Sequence, residues 1–274
     1  AKIGAPVAAA IPSPQPYGYR AKAEFHLAGD RQRLRLGLMA LGSNDIVAVE
    51  SCAICADSIN RAYGTLRERI GRGALRHPAE RITLWADEGG ESLGEAPREG
   101  GAEPDVLRIV REKTFTVPYR GFFQANRFLV AELVEQVLGF CGLVGGETVI
   151  DAYAGAGLFS LFLGPKAARL VGIEGDPEAA RCGRDNLQRA GLGAAEFLSG
   201  DVADLLDREF IRSGRRADVI VLDPPRDGCG PAVVERAAAL GAERVVYVSC
   251  NPATQARDVR RFGEAGYALR SLQP

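Results

Sequence analysis

Two rhythms of apolar and polar positions divide the chain. Between residues 19 and 50 the apolar residues come in short strand-like runs, over 19–27, 33–39 and 45–49. The turn signals Ala28-Gly29-Asp30 and Gly42-Ser43-Asn44-Asp45 separate them. Residues 58–70 carry a helical pattern, and 81–85 read as a further strand. Ahead of these, Pro6, Pro12, Pro14 and Pro16 hold the chain extended, and residues 87–104 have the acidic, glycine-rich composition of a mobile loop. Residues 1–118 are therefore expected to form a small α+β domain on an antiparallel sheet.

From about Phe122 the pattern changes. A helix is predicted over 124–140, followed by near-continuous apolar strands at 147–153, 170–174, 195–200, 218–223 and 244–249, with helical segments between them. Strands apolar on both faces and alternating with helices indicate a parallel sheet covered on both sides. The expectation for residues 119–274 is an α/β, Rossmann-like domain with a mostly parallel sheet. Ligands bind such sheets at the carboxyl ends of the strands, and that is where the unusual residues of this chain sit.

The first of these strands runs into Asp151-Ala152-Tyr153-Ala154-Gly155-Ala156-Gly157. Gly155 and Gly157 allow a tight turn and close approach of backbone to a ligand, with the next helix presenting its N-terminus. Asp151 reads equally as a cap for that helix or as a cofactor contact. The second strand ends in Glu174, placed to accept hydrogen bonds from ribose hydroxyls, and the third in Ser199-Gly200-Asp201, where a carboxylate can take an adenine amino group. This spacing suits NAD and S-adenosylmethionine alike. Two points favour the latter. The third glycine of the dinucleotide fingerprint falls on Ser160, and the fourth strand ends in Asp223-Pro224-Pro225-Arg226, a carboxylate on a stiff turn that hydride transfer does not require.

Composition adds limits. The 274 residues, 46% of them hydrophobic, suffice for one large or two modest cores. No apolar run approaches the roughly 20 residues of a membrane-spanning helix, and the start lacks the apolar stretch of a signal peptide. A soluble, cytoplasmic and monomeric protein is expected. Six scattered cysteines read as reduced thiols, with Cys141, Cys182 and Cys229 structural. The net charge of −1 is unevenly spread: residues 1–85 hold 12 basic against 7 acidic residues, and 86–112 hold 3 against 8. The basic residues are nearly all arginines, which suit phosphate and base contacts and equally an ordinary solvated surface.

The remaining feature is Cys250, at the end of the fifth strand, where an isolated cysteine is most often a small core residue. Its context is more specific. Phe122-Phe123-Gln124-Ala125-Asn126, the 151–157 loop, Asp223-Pro224-Pro225-Arg226 and Val248-Ser249-Cys250-Asn251-Pro252-Ala253-Thr254 with Ala256-Arg257-Asp258 resemble, in this order, the bacterial RNA 5-methyluridine methyltransferases. The resemblance runs from about Pro14 to the end. The form of the last motif is most similar to the branch acting on 23S ribosomal RNA, with the branch that modifies the T-loop of transfer RNA a near relative.

That resemblance implies a class I S-adenosylmethionine-dependent methyltransferase in which Cys250 is the nucleophile. Gln124, Tyr153, Gly155, Glu174, Asp201 and Asp223 would contact the cofactor. Phe123 and Arg226 would hold the flipped base, by stacking and hydrogen bonding respectively. Leu158 stands where some members have a polar residue, and is left out of the cofactor set. The family's general base is a Glu in a segment that continues beyond Ser271-Leu272-Gln273-Pro274, so the chain is expected to be truncated there, lacking its last strand, and also at its start. Several members hold an iron–sulfur cluster, [4Fe–4S], on four cysteines, and Cys52 matches the fourth. Cys52 and Cys55 also fit half of a zinc site or two core thiols. Many members carry an N-terminal RNA-binding barrel, whose absence would explain the neutral charge. RNA is the expected partner. Two other classes compete. A non-catalytic RNA-binding relative is one; an amino-methyltransferase acting on adenine or cytosine is suggested by Asp-Pro-Pro but opposed by Arg226 and Cys250.

Overall fold

The computed structural model describes residues 5–29, 34–73, 81–86, 92–93 and 105–274. The chain divides into two compact units, one made of Ser13–Val110 and Val117–Val130, the other of Ala1–Pro12, Arg111–Thr116 and Ala131–Pro274.

The first unit is an antiparallel sheet with one helix packed on it. Its strands are β1 (Lys22–Ala28), β2 (Arg35–Met39), β3 (Ile46–Val47), β4 (Arg81–Ala86) and β5 (Ser92–Leu93), in the order β3-β2-β1-β4-β5. Alternate residues of β1, Ala23, Phe25 and Leu27, are buried and meet Ile59, Tyr63 and Leu66 from one face of α1 (Asp57–Gly71). Tyr63 stacks on Phe25 with ring centroids 4.4 Å apart. Its hydroxyl shares its one proton between the carbonyls of Leu36 (3.0 Å) and Val49 (2.9 Å), so the buried phenol is satisfied. Ser92–Leu93 pairs with β4 inside the stretch expected to be a loop; the rest of 87–104 lies outside the described residues. Strands β6 (Val106–Val110) and β7 (Lys113–Val117) follow.

Helix α2 spans Val130–Cys141 and begins six residues later than the pattern suggested. The backbone of residues 125–127 is extended and paired instead: Ala21 N–H donates to the Ala125 carbonyl and Arg127 N–H to that of Tyr19, both at 3.1 Å. Backbone groups committed to that pairing cannot join a helical ladder.

The second unit is built on five parallel strands, β8 (Thr148–Ala152), β9 (Arg169–Glu174), β10 (Glu196–Ser199), β11 (Val219–Leu222) and β12 (Arg244–Tyr247). Their order is β10-β9-β8-β11-β12. The chain winds outward from β8 through β9 to β10, then crosses to β11 on the other side, which makes β8 the switch point where a ligand crevice opens. All four residues of β11 are buried, as both-faces coverage demands. The connecting helices are α3 (Ser160–Leu163), α4 (Pro177–Arg189), α5 (Val202–Leu206), α6 (Gly230–Ala239) and α7 (Pro252–Glu264). On one face Ile150, Ile173, Ile220 and Leu222 form a core with Leu206, Phe210, Val234 and Phe262. Near the end of the chain Leu272 is bridged in parallel to Val7. Among the described residues no helix is long and apolar enough to cross a membrane.

Candidate active site

The strand order sets the order of the candidate groups along the carboxyl edge of the sheet. Asp201 follows β10, Glu174 ends β9, the Tyr153–Gly157 loop follows β8, Asp223 follows β11 and Cys250 lies beyond β12. Neighbouring strands are about 4.8 Å apart, so the three intervals from β9 to β12 span roughly 14 Å. A nucleoside-bearing ligand with its ribose at Glu174 can reach the β11–β12 side over that distance.

The β8 loop is strained and then tied down. Tyr153 has φ 63, and Gly155 and Gly157 follow with φ 55 and 85. The left-handed conformation costs a non-glycine residue about 1–2 kcal/mol. Hydrogen bonds hold the turn in place: Gly155 N–H donates to Glu174 Oε2 (2.7 Å), Ala154 N–H to the Ile173 carbonyl (3.0 Å) and Gly157 N–H to the Ala154 carbonyl (2.8 Å). The Ala156 carbonyl accepts from Asn186 Nδ2 at 2.8 Å, and the same buried amide exchanges hydrogen bonds with the backbone of Thr116. Glu174 Oε1 also accepts from Asp176 N–H (2.7 Å), so the carboxylate is oriented from both sides. Asp201 caps α5, its Oδ1 accepting from Asp204 N–H at 3.0 Å.

Asp151 is not the N-cap residue of the following helix, which is Phe159, but it binds that helix's first residue, Ser160. It is fully buried in the middle of the sheet, where its Oδ2 accepts from the Ser160 hydroxyl at 2.6 Å and its Oδ1 has no hydrogen-bond partner. The residue standing at the third-glycine position thus serves this acid. Burial pushes the Asp151 carboxyl up to about 7, against the Ser160 hydrogen bond and aided by the charges of Asp223 and Glu174. Burial likewise pushes Asp223 up to about 7. An under-satisfied buried acceptor among neighbouring acids suits a cationic ligand.

Cys250 is exposed, Cys52 is half-buried and the other four cysteines are buried. Burial pushes the thiols of Cys55, Cys141 and Cys229 up to about 12. The residues after Cys250 form a helix start. Asn251 caps α7 by accepting from Ala253 N–H (3.1 Å), with Pro252 at the first helical position. They also grip the neighbouring turn: Asn251 Nδ2 and Thr254 Oγ1 both donate to the Arg226 carbonyl, at 3.2 and 3.0 Å. That turn is closed by Gly228 N–H donating to the Pro225 carbonyl (2.9 Å), and leaves the Arg226 side chain exposed.

The other residues assigned by resemblance belong to the first unit. Phe123 is buried there (7% exposed) and Gln124 is half-buried, whereas the adjacent Phe122 is 71% exposed. Cys52 shares a hydrogen bond with Cys55, but among the described residues no group of three or more His, Cys, Asp or Glu could hold a metal ion. Sequence reasoning missed what Asn186 and Asp258 do. Asp258 stands in the Ala256-Arg257-Asp258 motif with nothing in the sequence to mark it as buried, and Asn186 has no signal beyond its place on a helix.

The family profile described as tRNA (uracil-5-)-methyltransferase matches residues 105–266. An uncharacterized RNA methyltransferase of Halalkalibacterium halodurans is 42% identical over 172 residues, 63% of this chain and 37% of that one. One from Bacillus cereus is 31% identical over 324 aligned positions, covering 98% of this chain and 70% of that protein. Among solved structures, the Pyrococcus abyssi tRNA (uracil-54, C5)-methyltransferase in complex with S-adenosyl-L-homocysteine superposes with a TM-score of 0.70 over 92% of this chain and 71% of that one, at 21% identity. That likeness concerns the fold, a class I methyltransferase fold joined to an antiparallel-sheet unit. With the profile covering more than half of its residues and a relative above 30% identity aligned along nearly all of them, the chain belongs to the tRNA (uracil-5-)-methyltransferase family of RNA methyltransferases.

Proposed function

We propose that the protein transfers a methyl group from S-adenosylmethionine to C5 of a uracil in RNA, with Cys250 as nucleophile. The observation that carries this reading is the placement of one exposed thiol just beyond β12, the neighbour of the strand that leads into Asp223, at the end of a row of acids suited to a cationic nucleoside.

Uracil C5 is a weak nucleophile. Addition of the Cys250 sulfur to C6 moves the ring's electron pair towards C5 and O4, giving an enolate that is nucleophilic at C5. When bound, S-adenosylmethionine supplies an electrophilic methyl group on a sulfonium. Glu174 and Asp201 would hold its ribose and adenine, and Asp223 and Asp151 face its positive end. Arg226 would hold the base by hydrogen bonding, with donors aimed at the developing enolate charge. Removal of the C5 proton by a base then lets the C6–S bond break and restores the double bond. The form of the Cys250 motif favours 23S ribosomal RNA as the substrate over the transfer RNA T-loop.

The test is incubation with 5-fluorouridine-substituted RNA and S-adenosylmethionine, followed by denaturing electrophoresis. Fluorine cannot leave as a proton, so the protein–RNA bond persists. The expected result is a denaturation-resistant adduct with wild type and none with Cys250→Ala. If wild type binds the RNA but forms no adduct, Cys250 is not the nucleophile. Parallel reactions on 23S and transfer RNA transcripts decide the RNA class.

A further inference from the structure

We propose that Asp258, oriented by Arg257, is a positioning residue for this reaction: its buried carboxylate locks the turn after β11 against the end of β12, three residues before Cys250. The inference rests on the reading of Cys250 as nucleophile.

Asp258 lies on α7 and is fully buried. Its Oδ2 accepts from Cys229 N–H (2.9 Å), the Tyr247 hydroxyl (2.9 Å) and Arg257 Nη2 (3.2 Å). Its Oδ1 accepts from Arg257 Nε (2.9 Å) and Arg261 Nη1 (3.1 Å). Desolvating a carboxylate costs several kcal/mol unless donors replace the lost water. Here they do so: burial opposes ionisation, but the Arg257, Tyr247 and Cys229 hydrogen bonds outweigh it and hold the carboxyl below its usual range.

The donors show what is being held. Tyr247 is the last residue of β12, three positions before Cys250, and Cys229 closes the turn that starts at Asp223. Arg257 Nη2 donates in addition to the Asp227 carbonyl at 2.6 Å. Together with the two bonds to the Arg226 carbonyl, side chains from Asn251, Thr254, Arg257 and Asp258 fix residues 226, 227 and 229 by their backbones. These four positions recur at three- and four-residue spacing, one face of a helix. Between the fixed points sits Gly228, with φ 78; a Cβ there would stand 2.3 Å from Asp258 Oδ2 and 2.5 Å from Arg257 Nη2. The missing side chain is what lets the acid reach Cys229. An ion pair serving stability alone has no need to converge on one turn. This one joins the two loops whose separation sets how a base held at Arg226 meets the Cys250 sulfur, where a small misplacement costs orders of magnitude in rate.

The experiment uses the full chain, with Asp258→Asn as the isosteric change and Arg257→Lys as a milder one that leaves the buried acid in place. Three quantities are measured: affinity for S-adenosylmethionine, affinity for 5-fluorouridine RNA, and the single-turnover rate of Cys250 adduct formation with both ligands saturating. The expected result is a loss of about 10- to 100-fold in adduct rate for Asp258→Asn and a smaller loss for Arg257→Lys, with both affinities kept within about twofold. Hydrogen exchange at the Cys229 amide is expected to speed up in Asp258→Asn. An unchanged adduct rate in the folded variants overturns the inference while leaving the nucleophile in place. Loss of rate and both affinities in proportion also overturns it, by showing a merely structural role. If Asp258→Asn does not fold, Arg257→Lys decides by the same criteria. Failure of wild type to form an adduct is a different result and removes the underlying reading as well.

Discussion

Asp151 and Asp223 carry protons more readily than ordinary carboxyls, because the fold desolvates them. In the proposed site a bound sulfonium would favour their ionised forms, so below about pH 7 its binding would expel protons. Affinity for S-adenosylmethionine is therefore expected to rise with pH, by up to about tenfold per unit for each proton released, and to level off above 7. The neutral thioether S-adenosylhomocysteine should show a flatter profile. Calorimetric titration of both ligands between about pH 6 and pH 8 checks this, and an equal pH dependence for the two refutes it. Part of this was legible in the sequence: Glu174, Asp201 and Asp223 close apolar strands, where a charge is conspicuous. Asp151 also follows an apolar run, yet nothing in the pattern tells that its partner is Ser160. Nor can adjacent rings be ranked from sequence, and of the pair it is Phe123 that folds inward and Phe122 that stays on the surface.

Among elements, the approach of α4 to the sheet depends on one ring set against two glycines. A Cβ on Gly183 of α4 would lie 2.4 Å from Phe197 Cζ, and one on Gly172 of β9 would lie 2.5 Å from Phe197 Cδ2. Gly157 of the loop after β8 is the third neighbour, its notional Cβ 3.6 Å from Phe197 Cε2. Helix propensity alone makes Gly183→Ala stabilising by about 1 kcal/mol. The overlap with the ring opposes this, and overpacking of a tight contact costs roughly 1–3 kcal/mol. We expect packing to win, so that urea unfolding shows net destabilisation; a gain in stability would mean the ring moves aside freely. The strand positions around this contact were read from apolar runs that hold in any parallel sheet. The start of α2 was not, because residues 125–127 pair with 19–21, a segment about a hundred positions away that local periodicity cannot register.

Across the whole molecule these acids tie stability to pH. Asp151 has a folded value near 7 against an ordinary 3.8, so the folded state binds its proton more tightly than the unfolded chain does. Its contribution is fully present below about pH 4 and is lost as pH rises through 7. Glu196, held below its usual range by hydrogen bonds from Arg169 and then Arg215, acts in the opposite sense and loses its contribution at acid pH. Stability is expected to peak on the acid side of neutrality. Asp151→Asn should flatten the decline between about pH 5 and pH 8 in urea titrations, and an unaltered slope would show that the decline originates elsewhere. The parallel-sheet architecture itself was legible because alternation of apolar strands and helices is a global pattern. The brace beneath Cys250 was not, since an Arg-Asp pair on a helix ordinarily marks a solvated face.

Gly228 has a consequence for how freely this sequence can vary. Its neighbour Asp227 is used through the backbone carbonyl, so its side chain is open to replacement, whereas at 228 the left-handed backbone and the crowding by Asp258 and Arg257 each exclude a side chain independently. Saturation mutagenesis scored by methylated RNA should therefore find a sharp boundary between two consecutive codons, one permissive and one admitting glycine alone.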